Sequence, residues 1–201
     1  MPWIFGPGFP GHADRVEMRE LQSLTPIERA AAFRARMQAY YFDQVNTIAS
    51  KSPWAPFPLA VMTCIGIETI GAYKYGDVAN DRNGHFRKTV EELDRGFGRV
   101  VSAPIGIDVS LSTFVYQGFR NSLAHGFYGK WVFITHDPAK AKTYRYNARH
   151  KLLVLNVYWF YDRFRTIAER YLSNLTNAID PTTDPLKTFE VNFAKNFRLW
   201  M

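Results

Sequence analysis

An arginine and a histidine stand five positions apart in the stretch 118–126, at the end of an amphipathic run. Arg120 is followed by the polar Asn121, three spacers and His125, and Gly126 comes next as a natural helix stop. The guanidinium is a permanent cation, and the dipole at a helix C-terminus favours the cationic form of an imidazole. On a regular helix, residues five apart are separated by about 140° of rotation. We therefore expect the chain to turn His125 back towards Arg120 where the helix ends.

This order of residue types resembles the signature of the HEPN superfamily (higher eukaryotes and prokaryotes nucleotide-binding). The resemblance extends from roughly Pro58 to Leu175, with a buried-looking helix before the motif and a basic hairpin and a long helix after it. HEPN proteins are small α-helical bundles, and many are metal-independent RNases. The resemblance implies a homodimer in which two motif helices meet and the paired arginines and histidines line a groove.

The resemblance also implies roles for individual residues. Arg120 would hold the scissile phosphate and stabilise the charge that develops on it. His125 would act as general base or acid while a ribose 2′-hydroxyl attacks the adjacent phosphorus, so RNA would be cut and DNA would not. Asn121 would orient the phosphate or the histidine. No metal and no cofactor is needed for this chemistry.

The positive charge of the chain is concentrated next to the motif. The formal net charge is +7, and the segment 130–151 contributes six basic residues and one acid, Asp137. A polyanion such as RNA would bind to this cluster of positive charge. A solvent-exposed hairpin whose lysines prevent its edge strands from pairing with other chains explains the distribution equally well. Two tyrosines near the motif could stack on bases. The predicted RNA-binding residues are Tyr116, Tyr128, Lys130, Lys142, Arg145 and Arg149.

A second interpretation makes Arg120 a structural residue. The helix predicted from Leu59 to Tyr75 is apolar almost all round, and its conspicuous polar member, Glu68, should not be buried without a partner. Arg120 is the partner we expect, with Lys74 or a backbone group as alternatives. The chain would then be a non-catalytic HEPN-like module for nucleic-acid binding, protein interaction or dimerisation, or an unrelated helical protein. For a HEPN-like toxin, the resemblance points to an antitoxin or a nucleotidyltransferase as partner.

The hydrophobic periodicity predicts an all-α fold, an antiparallel helical bundle with a small β-hairpin before the last long helix. Thr25-Pro26-Ile27-Glu28 forms a capping box, Asp108 or Ser110 caps the motif helix, and Asn156 begins the last long helix. The hairpin is predicted to pair 131–134 with 144–155. We divide the chain into a Gly/Pro-rich arm (1–24), a HEPN-like bundle (25–178) and a C-terminal aromatic helix (179–201) that packs on the bundle or on a partner.

Composition and motifs disfavour other classes of protein. The single cysteine, Cys64, fits a reducing compartment. No run reaches the ~18 consecutive apolar residues of a membrane span, and the N-terminus is not a secretory signal, so we expect a cytoplasmic protein without a membrane partner. The five histidines lack metal-ligand spacing, and Ser122 has no Gly-x-Ser-x-Gly context.

Overall fold

A computed structural model describes residues 23–51, 56–76, 83–121, 131–135, 144–178, 180, 182 and 184–198. The chain is mainly helical, as predicted, and it contains two small sheets. The helices are α1 (Pro26–Met37), α2 (Asp43–Lys51), α3 (Pro56–Tyr75), α4 (Gly84–Leu93), α5 (Leu111–Val115), α6 (Val157–Thr176) and α7 (Asp184–Arg198). The strands are β1 (Val100–Ser102), β2 (Asp108–Ser110), β3 (Val132–Thr135), β4 (Tyr144–Asn147) and β5 (Leu152–Asn156). Most of the predicted arm, residues 1–22, lies outside the described residues.

The first helix begins where its capping signals predict. The Glu28 backbone N–H donates to the Thr25 hydroxyl at 3.3 Å, and the Thr25 backbone N–H donates to the Glu28 carboxylate at 2.7 Å. Pro26 occupies the first turn, where its missing N–H costs nothing. A π-helical turn, Gln38–Phe42, joins α1 to α2 without a break, so the helix that follows the capping box runs on to Lys51.

Helix α3 is at the centre of the bundle and packs against α4, α6 and α7. It is long and apolar enough to span a membrane by length and composition, a character that it shares with the core helices of helical bundles. Its buried positions are Leu59, Ala60, Thr63, Cys64, Gly66, Ile67, Ile70 and Gly71. Ile65 is 48 % exposed, so the helix is less uniformly buried than its composition predicts.

Gly66 allows the closest packing in this core. A Cβ atom at this position would lie 2.6 Å from Phe164 Cε1 and still closer to the Tyr41 hydroxyl, which donates a 2.6 Å hydrogen bond to the Met62 carbonyl. We expect Gly66→Ala to lower the free energy of unfolding by about 1–3 kcal/mol, because overpacking outweighs the ~1 kcal/mol by which alanine favours a helix. Urea denaturation would measure this.

The matched control for that prediction is Gly98→Ala, because a Cβ at Gly98 would meet nothing within 4 Å. Gly98→Ala should leave stability within about 0.5 kcal/mol of wild type, as ordinary surface changes do. Equal stability of the Gly66 variant and wild type would show that α3 and α6 are not packed as described.

The second sheet corrects the predicted hairpin. Its strand order is β3-β5-β4, with β3 parallel and β4 antiparallel to β5. The predicted pairing of 131–134 with the segment that follows the loop is therefore wrong in topology. The hairpin is β4–β5, closed by residues 148–151, and β3 lies along the other side of β5. Alternation of apolar residues identifies strands but does not specify which strands pair with each other. The apolar strand β5 lies in the middle of the sheet, where both of its edges are paired.

A smaller sheet leads into the motif helix. Strands β1 and β2 pair antiparallel around residues 103–107, a pairing that the sequence did not predict. The Thr113 backbone N–H donates to Ser110 Oγ at 3.2 Å, so the predicted cap is Ser110. Two side-chain hydrogen bonds then fix α5 to α4: Arg87 Nη1 to Thr113 Oγ1 at 2.9 Å and Ser112 Oγ to Glu91 Oε1 at 2.5 Å.

The last two helices complete the bundle. Asn156 Oδ1 accepts from the backbone N–H groups of Tyr158 and Trp159, at 3.1 and 3.4 Å, which confirms the predicted start of α6. Helix α7 packs on α1 and α3 through Phe189, whose ring lies 5.5 Å from the Phe33 ring. Phe189 therefore belongs to the core, and Phe193 packs against it.

Candidate functional site

The predicted site residues divide into two groups. Six lie in the described part of the chain, namely Glu68, Tyr116, Arg120, Asn121, Arg145 and Arg149. His125, Tyr128, Lys130 and Lys142 lie outside it, as does the predicted helix stop at Gly126. The described part of the predicted catalytic site therefore consists of Arg120 and the residues that contact it.

A π-helical turn positions Arg120. After α5 the helix continues through Tyr116–Arg120 with a wider turn, and the Asn121 backbone N–H donates to the carbonyl of Tyr116, five residues earlier. A π-helical turn is rare and occurs often at functional sites. Arg120 lies four residues after Tyr116, and its guanidinium carbon stacks 5.5 Å from the centre of the Tyr116 ring. The π-helical turn and the Tyr116 ring therefore set the direction in which the Arg120 side chain leaves the backbone.

Glu68 of α3 holds the guanidinium by a bidentate contact. Arg120 Nε donates to Oε2 at 2.8 Å, and Nη2 lies 2.7 Å from both carboxylate oxygens. The predicted Arg120–Glu68 pair is confirmed. The side chains of Arg120 and Glu68 are 27 % and 34 % exposed, so the pair is neither sealed in the core nor free in solvent. Fork-shaped arginine–carboxylate contacts of this kind fix orientation as well as charge.

Asn121 lies against the remaining edge of the guanidinium. Its Oδ1 accepts from Arg120 Nη1 at 3.2 Å. Nη1 carries two N–H groups, and the second has no acceptor among the described residues. Asn121 therefore orients the arginine in this structure, and the predicted contact with a phosphate or with His125 stays a prediction.

Tyr116 is a packing residue rather than an exposed ring. It is 8 % exposed, its ring lies edge-on to Phe86 at 5.3 Å, and its hydroxyl donates to Asn83 Oδ1 at 2.5 Å. With one face under the Arg120 guanidinium, the ring offers no face to a base. The predicted stacking role of Tyr116 is corrected accordingly, because the apolar pattern of α5 carries Tyr116 into the core.

The ion pair sits beside a buried thiol. Burial works to lower the pKa of Arg120, but the hydrogen bonds and charge of Glu68 outweigh it, so the pKa lies above its ordinary value. Burial also raises the pKa of Cys64, one helical turn before Glu68. The thiol is therefore uncharged near neutral pH and is a poor nucleophile. Arg120 remains the charged group around which a reaction at this site could be built.

Arg145 and Arg149 belong to a different surface from the ion pair. Arg145 alternates along β4 with Tyr144 and Tyr146, whose rings pack on Phe97 and Phe114. Because successive side chains of a strand point to opposite faces, Arg145 points away from the bundle. Arg149 lies in the exposed turn between β4 and β5. The structure does not place either arginine in contact with Arg120.

Sequence patterns gave no signal for a cavity of about 480 Å³ at the far end of α3. Its walls include Lys74, Glu92 and Tyr171, and none of its lining residues is a predicted site residue. Lys74, the alternative partner considered for Glu68, instead pairs with Glu92 at 2.5 Å. Among the described residues, no group of three or more His, Cys, Asp or Glu could hold a metal ion.

Comparison of the chain with protein-family models, with curated proteins and with solved structures returns no match. The resemblance to HEPN proteins therefore rests on the motif and on the order of the elements around it.

Proposed function

We propose that this chain is a metal-independent endoribonuclease of HEPN type, with Arg120 and His125 as its catalytic residues. The observation that carries the proposal is the fixed orientation of the Arg120 guanidinium, which Glu68 and Asn121 hold at a partly exposed position. A preorganised cation is what stabilisation of a developing phosphate charge requires. His125 follows Arg120 five residues further along the chain.

In the proposed reaction, the His125 imidazole of one protomer accepts the proton of a ribose 2′-hydroxyl. The 2′-oxygen forms a bond to the adjacent phosphorus, and the bond from phosphorus to the 5′-oxygen of the next nucleotide breaks. The leaving 5′-oxygen takes up a proton, so the products are a 2′,3′-cyclic phosphate and a 5′-hydroxyl. Arg120 donates its remaining Nη1 N–H to a non-bridging phosphate oxygen.

The proposed active unit is a homodimer joined through the motif helices. One copy supplies one arginine and one histidine, and two copies would supply separate groups to activate the nucleophile and to protonate the leaving group. We further propose that the protein acts in the cytoplasm and that an antitoxin or a nucleotidyltransferase restrains it.

A second candidate function is a non-catalytic HEPN-like module for nucleic-acid binding, protein interaction or dimerisation. The bidentate contact with Glu68 favours it, because the carboxylate already neutralises the charge that a phosphate would need. Under this alternative Arg120 stabilises the bundle, and His125 caps its helix.

Incubation with single-stranded RNA in the presence of EDTA separates the two candidates. The endoribonuclease should cut the RNA and leave DNA of the same sequence intact, since DNA lacks the attacking hydroxyl. RNA that stays intact at enzyme concentrations above that of the substrate would reject the catalytic proposal and leave the binding module. Cleavage that EDTA abolishes would also reject it.

A further inference from the structure

The outer face of the sheet β3-β5-β4 carries an exposed aromatic ring. Phe133 on β3 pairs with Val154 on β5, and Val154 pairs on its other side with Arg145 on β4. These three residues form one row across the sheet. Phe133 is 60 % exposed, Arg145 is exposed and Val154 is half-buried. At about 4.8 Å between strands, the Phe133 and Arg145 backbones are about 10 Å apart.

The opposite face of the same sheet explains why this row points to solvent. The flanking positions Val132, Leu153 and Leu155 are buried in the core. Since side chains alternate along a strand, the row between them must face outwards. An exposed phenylalanine in such a row is not needed for packing.

Within the described part of this sheet, the charged side chains have one sign. The described strands and the β4–β5 turn, residues 131–135 and 144–156, contain Arg145, Arg149 and Lys151 and no acidic residue. The turn is braced by the His150 backbone N–H, which donates to Asn147 Oδ1 at 3.2 Å. A hairpin braced in this way carries Arg145 in the row that contains Phe133, and Arg149 and Lys151 in the turn at its end.

We infer that this outer sheet face, defined by Phe133, Arg145, Val154, Arg149 and Lys151, binds single-stranded RNA. One base stacks on the Phe133 ring, which is sequence-tolerant because every base has a π face. Arg145, Arg149 and Lys151 hold the phosphates on either side. Charge complementarity favours a polyanion over an apolar protein surface here. The inference rests on the proposed function for its ligand and names a surface separate from Arg120 and Glu68.

Fluorescence anisotropy with a labelled, uncleavable 2′-O-methyl RNA tests this binding. Phe133→Ala and Phe133→Leu should both raise Kd by about 5- to 160-fold, which corresponds to ~1–3 kcal/mol for one stacked base. Phe133→Trp should bind as well as wild type or better, because it keeps an aromatic face. The matched control is Val191→Ala on α7, since Val191 is 63 % exposed and its helix packs on α1 and α3. Its affinity should not change.

The basic residues give an independent readout. The triple change Arg145→Gln, Arg149→Gln and Lys151→Gln removes three cations, so the slope of log Kd against log salt should fall by about 2 for a single strand. An unchanged slope would place the phosphates elsewhere. Circular dichroism should show every variant folded, because Phe133 and the three cations lie outside the core.

Equal affinity of Phe133→Ala, Phe133→Leu and wild type would overturn the inference, as would a wild-type protein that does not bind the RNA. A change in self-association on replacing Phe133, measured by light scattering, would also overturn it, because this sheet face would then bind a second copy of the chain. RNA cleavage that does not depend on Phe133 would contradict RNA binding by this sheet face and leave the endoribonuclease proposal in place. RNA binding that depends on Phe133, without cleavage, would contradict the endoribonuclease proposal and leave RNA binding by this face in place.

Discussion

Replacing His125 by alanine is expected to lower the rate of RNA cleavage by about 10²–10⁴-fold, the usual contribution of a general acid or base. His125 is proposed to take the 2′-hydroxyl proton, and alanine cannot replace that function. The measurement is the single-turnover rate at saturating RNA, with EDTA present. The melting temperature should stay close to that of wild type, because the proposed role concerns the reaction and not the core.

The control for this prediction is His150→Gln, which removes an exposed histidine from the β4–β5 turn. At saturating RNA its single-turnover rate should equal that of wild type. A His125→Ala protein that cuts RNA at the wild-type rate would exclude His125 from the reaction. Equal losses in both histidine variants would show that the effect is not specific to His125.

Replacing Arg120 by alanine is expected to lower the cleavage rate by about 10²–10³-fold, the range for losing one group that stabilises a developing oxyanion. The same change leaves Glu68 without its partner. Truncating a fully buried pair costs about 3–5 kcal/mol, whereas exposed pairs contribute about 0–1 kcal/mol. With both side chains about one third exposed, we expect a loss of ~1–2 kcal/mol in the free energy of unfolding. Urea denaturation measures the stability and single-turnover kinetics the rate.

The double variant Arg120→Ala/Glu68→Gln separates the two roles of the arginine. It removes the unpaired carboxylate, so its stability should recover most of the loss while cleavage stays as low as in Arg120→Ala. Recovery of cleavage together with stability would show that Arg120 is only a structural partner of Glu68. In that case the non-catalytic module would be the better account.

The features that the sequence predicted correctly depend on short-range chemistry. Thr25, Ser110 and Asn156 cap their helices because a small polar side chain next to a free backbone N–H has few alternatives. The Glu68–Arg120 pair was predictable for a related reason. A carboxylate in a mostly apolar helix needs a cation, and Arg120 lies on a helix whose apolar residues Phe114, Val115 and Phe119 are buried.

The features that the sequence did not predict depend on packing between distant segments. The parallel pairing of β3 with β5 follows from where the helices place the two strands, and no local pattern records it. The two π-helical turns likewise leave no clear mark in the sequence. The close approach of Tyr41 and Phe164 to Gly66 depends on how the π-helical turn Gln38–Phe42, α3 and α6 pack together, which no local pattern records. The burial of Tyr116 was also not predicted, because its ring packs on Phe86 of a separate helix, α4.

The most direct test of the proposed reaction is cleavage, in EDTA, of an RNA that carries one 2′-deoxyribose immediately 5′ of a mapped cleavage site. The endoribonuclease proposal predicts that this linkage stays intact while the others are cut to 2′,3′-cyclic phosphate and 5′-hydroxyl ends. Cleavage at the deoxy linkage would contradict it, because the attacking 2′-oxygen is absent there.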